Sequence, residues 1–146
     1  MDINTLKATI LSVVGIIGGI VANYLGGWDT ALQTLIIFMA IDYITGLVVA
    51  GVFHKSEKSE TGALESRAGW KGLCRKGMTL LIVLVAAQLD KITGTEVIRD
   101  AAIIAYIVNE TISIIENSAL MGIPIPTIIR KALDLLQKQA EESEVK

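Results

Sequence analysis

ATILSVVGIIGGIVANYLGGW, Ala8 to Trp28, runs for 21 residues without a charged side chain. As a helix rising 1.5 Å per residue, it is long enough to cross about 30 Å of hydrocarbon. The leader MDINTLK carries one lysine beside one aspartate, and a signal-peptide core is shorter, about 7–15 residues. Ala22, Gly26 and Gly27 make a poor cleavage pattern. The stretch therefore reads as a retained transmembrane helix, 8–28, and it sets the fold class. The chain is expected to be an all-α integral membrane protein with three to four transmembrane or membrane-embedded helices and a C-terminal amphipathic helix.

Composition agrees. Mean hydropathy is +0.58, and 52% of the 146 residues are apolar before the 13 glycines are added. Soluble domains reach about 45–50% with glycine included. Net charge is −2, so no basic field points to nucleic acid. One cysteine, Cys74, and one histidine, His54, make neither a disulfide framework nor a zinc cluster.

Outward from the first span, GGWDT links it to a second at 30–53. Glycines end the first helix, Asp29 or Thr30 can cap the next, and Trp28 suits the membrane interface. Residues 54–72 read as a cytoplasmic, solvated basic loop and surface helix; from Leu64 through Lys76 the chain suits a helix on the membrane surface, with Arg67, Lys71, Arg75 and Lys76 facing headgroups while Trp70 and Leu73 dip. A third segment at 73–89 crosses, with Arg75 and Lys76 snorkelling, or forms a re-entrant or interfacial helix. Asp90 to Asp100 reads as a turn. A fourth segment, 101–121, either crosses or lies as an amphipathic membrane helix, and GIPIP ends it because proline cannot continue the backbone ladder. Thr127 can cap a last, cytoplasmic helix, 127–140, followed by a polar, frayed EESEVK tail.

Charge asymmetry orients the chain. With both termini and the 54–76 region cytoplasmic, 11 of the 13 lysines and arginines, Lys146 among them, lie inside, and only Lys91 and Arg99 lie outside.

Three features could carry function. In the fourth segment Tyr106, Asn109, Glu110, Ser113, Glu116 and Asn117 fall within an arc of about 120°. Glu110 is the deeply placed acid. Such a stripe lines a pore in an oligomer, docks on polar groups of neighbouring helices, or faces the interface. In the first helix Ala8, Ser12, Gly15, Gly19, Ala22 and Gly26 form a small-residue face about 80° wide, which suits close helix packing within the chain or between copies. Asp42 sits mid-span, where a charged carboxylate costs roughly 2.5–3.5 kcal/mol. It reads as a proton-sensitive switch, or as a protonated or paired anchor between helices. No phosphate loop, hydrolase, Rossmann or metal motif occurs, and Asp42 with Glu110 alone makes no catalytic constellation, so no enzyme, cofactor or metal is expected.

Five pieces in order, DYITG (Asp42–Gly46), ESRAGWKGLCRKG (Glu65–Gly77), LD (Leu89–Asp90), YIVNETISIIEN (Tyr106–Asn117) and GIPIP (Gly122–Pro126), resemble the phage holins that include the toxin-secretion holins of clostridia and the phi29-type and Cp-1-type lysis holins. The resemblance runs from about Asp42 to Leu136. It implies a homo-oligomer in the bacterial cytoplasmic membrane that permeabilises it. An endolysin, or a toxin lacking a signal peptide, is then released for host lysis or non-classical secretion, without required direct contact. The alternative from the residues is a small oligomeric ion or metabolite channel or transporter using Asp42 and Glu110. A third class is a non-conducting membrane anchor that recruits partners through the basic loop and last helix.

Overall fold

The computed structural model describes residues 2–144, and Lys146 and the last step of the tail lie outside them. The described residues form helices and connecting turns without strands: α1 (Ile3–Tyr24), α2 (Thr30–Val48) prolonged by a π-helical turn (Val49–Phe53), α3 (Ser66–Thr93), α4 (Val97–Leu120) and α5 (Thr127–Glu144). Three of them, Ile3–Tyr24, Thr30–Phe53 and Ser66–Thr93, are long and apolar enough to cross a membrane. The protein is a helical membrane protein.

The termini of these helices follow local chemistry. α1 stops at Tyr24 because Gly26 and Gly27 take φ of +93° and +109°, which side-chain-bearing residues avoid. Asp29 then caps α2, its Oδ1 accepting the Leu32 amide at 2.9 Å. The first span thus begins five residues earlier than the charge-free run, and Lys7 rides within it.

The surface helix and the third span are one rod, which corrects the expected division at Leu73. α3 runs unbroken for 28 residues, about 42 Å, because nothing between Ser66 and Leu89 terminates a helix. Its glycines are packing sites: Gly69 and Gly72 let the Tyr43 ring lie against the backbone, where an added Cβ would meet it at 3.5 and 3.8 Å. The expected turn from Asp90 to Asp100 shrinks to three residues, 94–96. Gly94 ends α3 in the left-handed region, and the Asp90 side chain caps α4 from the preceding helix. Its carboxylate accepts the Thr95 hydroxyl at 2.6 Å and the amides of Ile98 and Arg99 at 3.0 and 2.8 Å.

α4 is the interior helix. It packs against α2, α3 and α5. Leu32 and Leu35 of α2, Val83 of α3 and Ile103 and Ile107 of α4 close the core, with Leu25 from the first turn. α5 folds back on α4 after Gly122 and brings Leu136 to this core. It continues to Glu144, four residues past the expected end. Only part of its apolar face is covered: Leu133 and Leu136 are half-buried, while Ile129 and Ala132 stay exposed. Among the described residues α1 packs on α3 alone of the helices.

Candidate functional site

In lipid, burying a leucine against another leucine gains little, because the surroundings are already apolar. Polar pairing and close packing must supply the specificity, and this bundle places its buried charges accordingly.

Asp42 on α2, Lys76 on α3 and Glu110 on α4 meet in one seam. Lys76 Nζ donates to Asp42 Oδ2 at 2.7 Å and to Glu110 Oε2 at 2.5 Å. All three side chains are largely buried, Lys76 at 14%, Asp42 at 9% and Glu110 at 8% exposure. Asn117, two turns beyond Glu110 on α4, donates to Asp42 Oδ1 at 3.1 Å and to the Thr45 hydroxyl at 3.0 Å. Lys58, from the 54–65 loop, reaches down to the Ser113 hydroxyl at 3.2 Å and to within 3.8 Å of Asp42. Lys76 thus serves both acids and Lys58 approaches Asp42, which offsets part of the cost of holding the acids in a low dielectric.

Lys76 is therefore not a headgroup contact. The expectation that it faces the membrane surface is corrected by its helix phase, which turns it toward α2 and α4 and into the seam between two acids. Arg67, Lys71 and Arg75 are exposed. Asp42 has an ion-pair partner rather than standing as a lone neutral acid.

The α4 stripe divides. Glu110 and Asn117 are buried, Tyr106 and Ser113 half-buried, and Asn109 and Glu116 exposed. Five of the six stripe residues, all but Asn117, line a cavity of about 570 Å³ enclosed by α2, α3, α4 and the 54–65 loop. In the protomer the stripe meets polar groups of its own chain. On α1, a Cβ added at Gly15 or Gly19 meets nothing within 4 Å, so the small-residue face is open there. Ser12 is exposed as well; only Ala22 is buried, and Gly26 lies under Arg99.

Arg99 makes a second polar centre that sequence reasoning missed. Its guanidinium is 8% exposed and donates to Asp29 at 2.6 and 3.2 Å, to the carbonyls of Leu25 and Gly27, and to Asp100. The Arg99 hydrogen bond holds the Asp29 carboxyl below the usual carboxylate range, with help from the Leu32 amide and against partial burial. The signal was present: Asp29 and Arg99 flank helices whose ends were expected on the same side of the membrane.

The model of the bacteriophage holin family matches residues 19–138. An uncharacterized 14.9 kDa protein in the nagH 3′ region of Clostridium perfringens is 37% identical over 139 residues, covering 94% of this chain and 96% of that relative. An uncharacterized protein of Listeria innocua is 36% identical over 140 residues, 94% of each chain. A probable holin of Bacillus phage phi105 is 33% identical over 120 residues, 82% of this chain and 83% of its own. No solved structure matches.

Proposed function

The chain belongs to the bacteriophage holin family, and we propose that it oligomerises in the bacterial cytoplasmic membrane and opens it to an endolysin or a leaderless toxin. The observation that carries the mechanism is the Lys76 bridge between Asp42 and Glu110. A stripe of this polarity is costly against lipid. The protomer hides its most buried members, Glu110 and Asn117, by docking them on α2 and α3, so a single copy shields the deepest acid from lipid. When copies associate through the open face of α1, the seam parts and the stripe becomes the water-facing wall of the lesion. The excess of Lys and Arg in the N-terminus, the 54–65 loop and the start of α5 supports a cytoplasmic position for all three. Transport here is bulk passage, without turnover or cofactor.

Co-expression of the full chain with a cytoplasmic endolysin tests this. The expected result is abrupt lysis that needs both proteins, with release of a cytoplasmic reporter protein. Passage of small ions alone, with the reporter protein retained, supports the channel or transporter alternative instead.

A further inference from the structure

The cavity beside the seam has polar groups that the seam does not use. Asp42 and Glu110 are engaged by Lys76, and Lys58 leans on Ser113. Arg75, on the α3 wall, makes no side-chain hydrogen bond or ion pair among the described residues. Glu116, on the α4 wall, makes none either. The hydroxyl oxygen of Ser59, in the loop that roofs the cavity, is buried and has no partner. A buried hydroxyl without a partner is a cost that an incoming acceptor removes.

An apolar side of the lining is formed by Leu47 of α2, Ala50 of its π-helical extension, and Met78 and Ile82 of α3. The space is not closed to the side. An adjoining groove shares Tyr43, Leu47, Leu64 and Gly69 with it and runs out to Trp70 and Leu73, both exposed. Met78 and Ile82 are exposed on the same helix. A volume of about 570 Å³ is in the range of small-molecule sites. The shape is that of a site entered from the bilayer, polar at one end and apolar along the other.

Charge selects the occupant. A purely anionic headgroup would gain Arg75 but meet Glu116 and Glu65, the latter already accepting from Thr61. A headgroup with both signs is served by both walls. We propose that this cavity binds a phospholipid with an amine-bearing, zwitterionic headgroup. Its phosphate lies at Arg75 and Ser59, its ammonium at Glu116, and an acyl chain along Met78 and Ile82. The lipid fills the space beneath the 54–65 loop and supports that roof over the seam.

Trp70 at the mouth reports occupancy. The full chain carrying Trp28→Phe, which leaves Trp70 as the single tryptophan, is reconstituted in phosphatidylglycerol vesicles. These contain equal fractions of either brominated phosphatidylethanolamine or brominated phosphatidylglycerol. The expected result is stronger quenching by the ethanolamine lipid, with an apparent preference of about fivefold, the scale of one well-placed charge contact. Glu116→Gln brings the preference to parity, Arg75→Gln weakens quenching by both lipids because both carry the phosphate, and Arg67→Gln, outside the cavity, leaves quenching and preference intact. Helical circular dichroism checks that each variant folds, and native mass spectrometry of the unmodified chain in mixed-lipid nanodiscs gives a second reading of the same ratio. Equal quenching by the two lipids, a preference for phosphatidylglycerol, a preference that survives Glu116→Gln, or quenching untouched by Arg75→Gln overturns the proposal. None of these readings depends on leakage or lysis, so failure here is separable from failure of the proposed membrane-opening role.

Discussion

The Lys76 ammonium sits 2.7 Å from the Asp42 carboxylate, tying α3 to α2 inside the bundle, and the same nitrogen holds Glu110 of α4. Three helices thus share one cation. Such a joint is rigid while intact and costly to break by halves, since removing one partner leaves uncompensated buried charge. That asymmetry suits the proposed switch, in which the seam holds in a single copy and then parts as a unit.

Removing the cation alone should expose this asymmetry. Lys76→Met leaves two acids facing each other and is expected to destabilise the protomer by about 3–5 kcal/mol. Adding Asp42→Asn and Glu110→Gln to Lys76→Met should recover most of that loss. Denaturant unfolding in detergent micelles, followed by circular dichroism, measures both. A single variant as stable as the parent chain contradicts the joint.

Gly26→Ala is expected to loosen the turn between α1 and α2. The residue has φ of +93°, and an added Cβ would lie 2.5 Å from Arg99 Nε. Backbone strain of this kind costs about 1–3 kcal/mol. The same unfolding assay should register it, whereas Gly27→Ala should show only the backbone part, because nothing lies within 4 Å of Gly27.

The Asp29–Arg99 pair predicts an acid limb. The folded carboxyl titrates below its unfolded value, so its contribution is complete above the ordinary aspartate pKa of about 4 and is lost as pH falls through the lower folded value. Thermal stability in detergent should therefore drop below about pH 4. Asp29→Asn should be less stable at neutral pH and flatter across that window. An unchanged acid limb in Asp29→Asn would count against this assignment.

Gly15→Leu and Gly19→Leu separate folding from assembly. Both positions are open, so the protomer should keep its helical content and unfolding midpoint. Lysis should be delayed or lost, and cross-linked ladders shortened, because bulky side chains keep the α1 faces apart. Unaltered lysis timing in both variants would remove α1 from the assembly surface.

Much of this was readable from residue order. The charge-free run after Lys7, the Asp29 cap and the GIPIP stop each rest on local chemistry, and the helices follow them. The α4 stripe was legible as a pattern, but its destination was not. Periodicity places Glu110 and Asn117 on one face without saying that α2 and α3 present Asp42 and Lys76 to it. Lys76 was misread because a lysine in a basic cluster at a span's edge looks like a snorkelling cation; only the unbroken phase of α3 turns it inward. Asp90 and Arg99 went unnoticed as partners because their contacts depend on how two helix turns stack, which sequence spacing does not encode.

The proposal turns on the inner part of the α4 stripe, Glu110, Ser113 and Asn117, being covered in the single copy and wet in the assembled lesion. Site-directed cysteine labelling tests it most directly, in a Cys74→Ser background because the native cysteine is exposed. Ser113→Cys and Ile115→Cys are treated with a membrane-impermeant thiol reagent in cells before and after lysis is triggered. The account predicts that position 113 is protected beforehand and labels strongly afterwards, while position 115 changes little. Equal protection of the two positions throughout, with lysis proceeding normally, would contradict it.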